Sequence, residues 1–250
     1  MTSERPLATV VLAAGKGKRM KDPGRAKVMF ELNGKPMIHF VVDVAYSIAA
    51  SRVIVIVGHQ RETIMDYVRA SHPDAEAVVQ AEQRGTGHAV LQTKTTLENF
   101  QGDVLVLSGD VPLLTRTTLA NLVRNHRETK AVATILTAEM ENPRGYGRII
   151  RNKDGSVLKI VEERDATAEE KAVREINSGI YVFEKEKLFD GLGHITPHNV
   201  QNEYYLTDVF EYFWRMKWNV SAIKASDEQE ILGINTVEQL EAARAVLRGG

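Results

Sequence analysis

A basic, glycine-bearing loop follows the first apolar run of this 250-residue chain. It reads Leu12-Ala13-Ala14-Gly15-Lys16-Gly17-Lys18-Arg19-Met20 and extends to Lys27. Lys16, Lys18, Arg19, Lys21, Arg25 and Lys27 put six positive charges into twelve positions, opposed only by Asp22. In a chain of formal net charge -1 that is a local attractor for anions. Small residues let a backbone approach a ligand closely, and successive amides in such a loop can point at a phosphate. Two known phosphate motifs are not met. A P-loop ending at Gly17-Lys18 would need Gly where Leu12 stands and Ser or Thr where Arg19 stands. The dinucleotide fingerprint finds Gly15 and Gly17 but Met20 in its third position. On these residues alone the loop is either an anion site or a solvated basic turn. A second chemical candidate is Asp110, in Ser108-Gly109-Asp110 directly after the apolar run Val104–Leu107. A carboxylate there suits a hard cation such as Mg2+, which takes few protein oxygens; capping the following turn is the equal alternative.

These residues need a frame that holds strand ends together. Apolar runs at Leu7–Ala14, Arg52–Val57, Ala75–Val79, Asp103–Leu107 and Ala131–Thr137 read as strands, apolar on both faces as in a covered parallel sheet. Between them Pro36–Ala50, Glu62–Ala70, Gly87–Phe100 and Thr115–His126 read as helices, with Pro36 at a first helical position after an Asn33-Gly34 turn. The alternation predicts an α/β three-layer sandwich with a mostly parallel central sheet and right-handed crossovers. Asp110 and the basic loop then share the carboxyl edge of that sheet, where such folds bind ligands. After Pro143 the pattern changes. Gly147–Arg151 and Ser156–Val161 flank the hairpin signal Asp154-Gly155. Ile176–Phe183 and Val220–Ala225 read as strands, and Glu203–Trp218 and Thr236–Leu247 as helices, the last with Thr236 as cap and Gln239 at the capping-box position. We expect one domain over 1–250, with a first half to about 140, a second half from about 141 to 235 and a terminal helix over 236–250.

Composition narrows the field. With 43% hydrophobic and 26% charged residues the chain is of ordinary globular type, and at this length it can bury roughly 70–75% of its unfolded surface. There is no Cys, which removes disulfides, thiolate nucleophiles and Cys-ligated zinc. No run reaches the length of a membrane helix, and the N-terminal apolar run is too short for a signal peptide, so a cytoplasmic protein with no membrane partner is expected. Nucleic acid is not an expected partner, because the basic loop lacks interleaved aromatics. His194 and His198 are interrupted by Pro197, which argues against a shared zinc.

The string LAAGKGKRM, followed by Lys27 in RAKVMFELNGKPMIHFVVD, resembles the signature of sugar nucleotidylyltransferases. Further matches recur in that family's order: QAEQRGTGHAV (80–90), VLSGDVPLL (106–114), GYGRIIR (145–151), IVEERDA (160–166), EINSGIYVF (175–183), NEYYLTDVF (202–210) and GIN (233–235). Within the family, GTGHA and EYYLTD are most similar to the uridylyltransferase domain of bifunctional bacterial enzymes acting on N-acetylglucosamine 1-phosphate. The resemblance implies the nucleotide-diphospho-sugar transferase fold. It implies Mg2+-dependent transfer of UMP from UTP to N-acetylglucosamine 1-phosphate, with pyrophosphate leaving. Other sugar-1-phosphate transferases and a non-catalytic nucleotide-sugar sensor are the alternatives. By the same resemblance Asp110 and Asn235 hold the metal, Arg19 holds the pyrophosphate, and Lys27 lies by the reacting phosphates. Read from its own context, Asn235 before Thr236 is a turn or cap residue. Leu12, Ala13, Ala14 and Gly15 would bind the nucleotide through backbone groups, with Ser108 and Gly109 beside them. Gln80, Gly85 and Thr86 would meet the base, Gln80 offering an amide donor and acceptor as a uracil edge requires. Gly147, Glu162, Asn177, Tyr205 and Thr207 would bind the sugar. Ala26 replaces the family's usual Pro before the lysine, and Ser108 stands where close relatives carry Tyr. No hexapeptide repeats of a β-helix follow, so no acetyltransferase activity is expected.

Overall fold

The computed structural model describes residues 5–15, 17, 20, 22 and 24–249. Its centre is β1 (Leu7–Ala13), seven residues that are apolar on both faces apart from Thr9. Alternation sends Leu7, Val11 and Ala13 into one core and Ala8 and Val10 into the other. β4 (Arg52–Val57) and β6 (Asp103–Ser108) flank β1 in parallel and split their side chains in the same way. β5 (Glu76–Val79) extends this side, again in parallel. Such two-faced burial requires helices on both sides of the sheet.

They are there. α1 (Met37–Ser47), α2 (Arg61–Ser71) and α4 (Arg116–Thr129) bury Ile38, Val41, Ile64, Val68, Leu119 and Leu122 on one face. α3 (Thr86–Leu91), α6 (Lys185–Leu192) and α7 (Asp208–Arg215) bury Val90, Leu188, Phe210 and Phe213 on the other. The sandwich and its mostly parallel sheet agree with the reading of the sequence.

The second half widens the same sheet. β10 (Glu175–Glu184) runs antiparallel to β6 and to β7 (Ala133–Glu139), and β11 (Val220–Lys224) closes that edge parallel to β7. The nine-stranded sheet branches where β8 (Gly147–Arg151) pairs with β10, and β9 (Val157–Val161) completes a hairpin through Asp154-Gly155. Gly155 takes φ +83° and Asp154 accepts the Ser156 amide at 2.9 Å, the turn chemistry that this pair favours. α5 (Ala168–Lys171) is a single capped turn.

Several elements differ from their expected extents. Pro36 is not in a helix: it ends β3 (Lys35–Pro36), paired with β2 (Glu31–Leu32) across Asn33-Gly34, both of which have positive φ. Its fixed φ and missing N–H serve the edge of that hairpin and the cap of α1 equally well. The long helix expected over 87–100 stops at Leu91, and 92–99 continue as successive turns. The polar run Gln92-Thr93-Lys94-Thr95-Thr96 is poor in strong helix formers. The helix expected from Glu203 begins only at Asp208, because 203–206 lie extended against the 84–87 segment. α8 (Val237–Gly249) starts as expected, with Gln239 N donating to Thr236 Oγ1 at 3.2 Å and Thr236 N to Gln239 Oε1 at 3.0 Å. It packs Leu240 and Ala243 against Leu32 and Met37 of the β2–β3 region.

Phe183, Phe210 and Phe213 form a fully buried aromatic group that joins β10 to α7. Truncating Phe210 to Ala leaves a cavity between sheet and helix. Phe210→Ala is expected to lower unfolding free energy by about 3–5 kcal/mol, read as a shift in urea midpoint at constant slope. A loss below about 1 kcal/mol would show that α7 carries little of the stability.

Candidate active site

The carboxyl ends of β1, β5 and β6 open onto one cleft. Two pockets occupy it and share Leu12, Thr86 and Ser108. The larger, about 530 Å³, is lined by Leu12, Ala13, Ala14, Gly15, Lys27, Gln80, Gly85, Thr86, Ser108 and Asp110 among others. The smaller, about 200 Å³, includes Gly147, Glu162, Asn177 and Thr207. Residues that the resemblance implied for a nucleotide and, Tyr205 apart, for a sugar line these adjoining pockets or lie beside them. Gly109 lies just beneath. Its amide donates to the Leu12 carbonyl at 3.0 Å, and a side chain there would crowd that same oxygen.

At the inner end of the larger pocket Lys27 Nζ lies against Asp110 Oδ2 and 2.6 Å from Asn235 Oδ1. Three distant segments meet at this point. Lys27 opens a 3₁₀ turn over Lys27–Met29, and Asp110 follows β6. The segment carrying Asn235 is fixed by Ile234 N donating to the Asp110 carbonyl at 2.9 Å. Asn235 Nδ2 donates to the Gly233 carbonyl at 3.1 Å, which turns Oδ1 toward the lysine. A carboxylate oxygen and an amide oxygen therefore converge on a single cationic position. Oxygen donors of this kind suit a hard divalent cation such as Mg2+, and the ammonium marks where positive charge is stabilised.

The neighbouring wall is built by the 80–88 segment. Buried Gln80 donates through Nε2 to the Gly85 carbonyl at 3.0 Å and lies 3.0 Å from His88 Nδ1. Its NH2 group therefore shapes the turn. Gly85 has φ +110°, and a Cβ there would collide with the Tyr204 carbonyl. That close approach lets Tyr204 N donate to Arg84 O at 2.8 Å, and Gly87 N to Tyr204 O at 2.8 Å. Leu206 N donates to Thr86 Oγ1 at 3.0 Å. Thr86 thus bolts the two halves of the cleft together as well as lining both pockets.

The smaller pocket depends on a bulge in β10. Register shifts between Asn177 and Tyr181, with Gly179 at φ +79°. Asn177 Oδ1 accepts the Gly179 amide at 3.2 Å and Nδ2 donates to the buried Tyr181 hydroxyl at 2.7 Å. Across the pocket Thr207 Oγ1 donates to Glu162 Oε1 at 3.2 Å. Burial, with Asp165 nearby, pushes the Glu162 carboxyl above the usual range. Burial likewise raises Asp208, to about 7, aided by the charges of Glu162, Glu211 and Asp165. Burial also raises the Tyr205 and Tyr181 hydroxyls.

Arg19, with Lys16, Lys18 and Lys21, lies outside the described residues. Tyr205 lines neither pocket: it is buried and its hydroxyl has no hydrogen-bond partner. Other lining residues carried no expectation. Gln83, Arg164, Gln201 and Glu203 border the larger pocket, and Ser178, Gly179 and Tyr181 the smaller. Gly179 had a readable signal, since a glycine inside an apolar strand often marks a bulge. Ser178 and Tyr181 are placed by the same bulge, and Glu203 by the contact between the 84–87 and 203–206 segments.

Residues 8–229 match the nucleotidyl transferase family. Similar curated proteins are each named bifunctional protein GlmU. That of Pelobacter propionicus is 45% identical over 242 residues, covering 97% of this chain and 52% of that protein. That of Geobacter sulfurreducens is 47% identical over 243 residues, covering 97% and 51%. The chain spans about half the length of these relatives. The fold is similar to a crystal structure of UDP-glucose pyrophosphorylase complexed with UDP-glucose, at TM-score 0.79 and 18% identity, over 98% of this chain and 99% of that one.

The Asp208 shift sets the sign of a pH effect. Its folded-state pKa lies above that of an unfolded aspartate, so the native state holds the extra proton and stability falls as pH rises from about 4 to about 7. Asp208→Asn removes the charge without changing shape. The variant is expected to gain stability over the parent as pH passes 7 and to lose that gain near pH 4, followed by thermal melts across pH. Parallel curves would remove Asp208 from the titration.

Proposed function

The chain belongs to the nucleotidyl transferase family and is a nucleotidyltransferase; from that premise we propose that it transfers UMP from UTP to a sugar 1-phosphate, N-acetylglucosamine 1-phosphate first among them. The observation that carries the reading is the meeting of Lys27, Asp110 and Asn235 beside a larger and a smaller pocket that share walls. A nucleoside triphosphate fits the larger and a pyranose the smaller, and the reacting phosphates would then lie at the shared mouth. The GlmU relatives match along nearly the whole chain and support a sugar-1-phosphate nucleotidyltransferase. In this reading residues to about 140 serve the nucleotide and those from about 141 to 235 the sugar, in the cytoplasm.

In the proposed reaction a phosphate oxygen of the sugar attacks the α-phosphorus of UTP. A new P–O bond forms as the bond to the β-phosphate oxygen breaks, and pyrophosphate leaves. The nucleophile is already ionised, so no general base is required, and catalysis rests on alignment and charge. Asp110 and Asn235 would hold Mg2+, which neutralises phosphate charge when bound. Lys27 reaches both oxygens and is long enough to turn from them to a phosphate. Ala13, Ala14 and Gly15 keep the backbone of the basic loop close to the nucleotide. Arg19 would complete the charge around the leaving pyrophosphate. Glu162 and Asn177, set by Thr207 and by the β10 bulge, would accept and donate hydrogen bonds to sugar hydroxyl or acetamido groups. The raised pKa of Glu162 suits a neutral polar ligand better than a second cation.

Pyrophosphate release with Mg2+ and UTP across a panel of sugar 1-phosphates tests the proposal. Release is expected with N-acetylglucosamine 1-phosphate and little else. Preference for another sugar or for dTTP would overturn the substrate, and binding of UTP without turnover would favour a sensor. Asp110→Ala is expected to lower kcat by about 100-fold or more with the fold intact. Asn177→Ala is expected to raise KM for the sugar phosphate and leave that for UTP unchanged. Equal changes in both constants would displace Asn177 from the sugar pocket.

A further inference from the structure

Outside the cleft, His39, Asp43 and His72 bring one ligand atom each within 4.8 Å of one another. His39 and Asp43 lie one turn apart on α1, and His72 caps the end of α2. His72 Nε2 is 2.9 Å from Asp43 Oδ1, and His39 Nε2 is 3.2 Å from Asp43 Oδ2. None of the three lines the cleft pockets.

The far nitrogen of each ring settles which atoms face inward. Ser71 Oγ is 2.8 Å from the Tyr67 carbonyl, an acceptor only, so its proton is directed there. The same hydroxyl lies 2.8 Å from His72 Nδ1, which gives the outer nitrogen of that ring a hydrogen-bond partner. His72 Nε2 faces inward, at hydrogen-bond distance (2.9 Å) from Asp43 Oδ1. His39 repeats the pattern. Lys35 Nζ, a donor only, lies 2.7 Å from His39 Nε2, which must therefore accept. Nδ1 bears the hydrogen and meets the Tyr67 hydroxyl at 3.1 Å. Two imidazole nitrogens and a carboxylate thus converge on one position, with the Lys35 ammonium beside them. Tyr46 stacks on His72 at an interplanar angle of 11°, which holds the ring in place.

We propose that His39, Asp43 and His72 form a site for a divalent transition metal of the zinc class, tying α1 to the end of α2. Two imidazoles and one carboxylate are ligands that Zn2+ accepts, and Asp43 is exposed, so water can complete the coordination. Hydroxyl partners on the outer nitrogens are what oriented metal-binding histidines require. Binding displaces the exposed Lys35 ammonium from His39 and the hydrogen that joins His72 Nε2 to Asp43.

The test uses the full chain in an Asp110→Ala background, which removes the metal ligand of the cleft. After chelator treatment, Zn2+ is titrated against a chromophoric competitor, and Co2+ is followed by its visible d–d absorption. One equivalent is expected per chain. It should be lost in Asp43→Asn and in His72→Gln, and kept in His194→Gln, which breaks a different His–Asp pair. Lys35→Ala is expected to tighten binding, and Tyr67→Phe to weaken it by about tenfold or more. Absence of Zn2+ uptake overturns the site, as does uptake that Asp43→Asn leaves intact. Should His72→Gln unfold, the exposed Asp43 substitution alone decides.

Discussion

The cleft depends on one electrostatic meeting: the Lys27 ammonium against Asp110 and Asn235. Three charged or polar groups drawn from near the start, middle and end of the chain cannot converge unless every intervening crossover is correct. Asp110 is fixed by the carboxyl end of β6, whose register with β1 runs from Leu7↔Asp103 to Leu12↔Ser108. Asn235 is fixed from the other direction, by α8 packing on the β2–β3 hairpin and by Arg244 donating through Nη2 to the Glu31 carbonyl at 2.7 Å. The terminal helix is therefore part of the site although it contributes no ligand.

The second constraint is the seam between 84–87 and 203–206. A parallel sheet with ligands at its carboxyl edge needs a wall opposite that edge, and here the wall is an extended segment held by main-chain hydrogen bonds. Gly85 and Gly87 permit it, since a Cβ at either would press into the 204–205 backbone or the Ile195 side chain. The same seam explains why the helix of the second half begins only at Asp208. Backbone groups of 204 and 206 are engaged across the cleft and are not available to a helical ladder.

Much of this was legible in the sequence, for identifiable reasons. The β1, β4 and β6 strands were readable because each is apolar on both faces, which leaves little choice but a covered parallel sheet. Asp154-Gly155, Asn33-Gly34 and Thr236 with Gln239 were readable because turn and cap chemistry is local. Asp110 was readable as a carboxylate at a strand end, but only as an even choice between capping and cation binding. Asn235 was legible only through a family resemblance, since its neighbours suggest a cap and its partners lie 125 and 208 positions away in the chain (235−110 and 235−27). The short α3 and the position of Tyr205 escaped for the same reason. Periodicity reports which face is buried, whereas their limits are set by a seam between distant segments.

The acidic groups around the smaller pocket complete the electrostatic logic. Positive charge from Lys27 lies at one end of the cleft, and Glu162, Asp165 and Asp208 gather at the other. Placed together in the open, such charges would repel and hold water. Burial instead raises the pKa values of Glu162 and Asp208, so that this end presents less net charge than its composition suggests. A ligand with an anionic head and a neutral polyhydroxyl body would meet opposite charge at one end and uncharged hydrogen-bonding groups at the other. The polarity of the cleft therefore selects the orientation of such a ligand before any individual contact is made, and a near-neutral chain attains it by separating its charges instead of accumulating one sign.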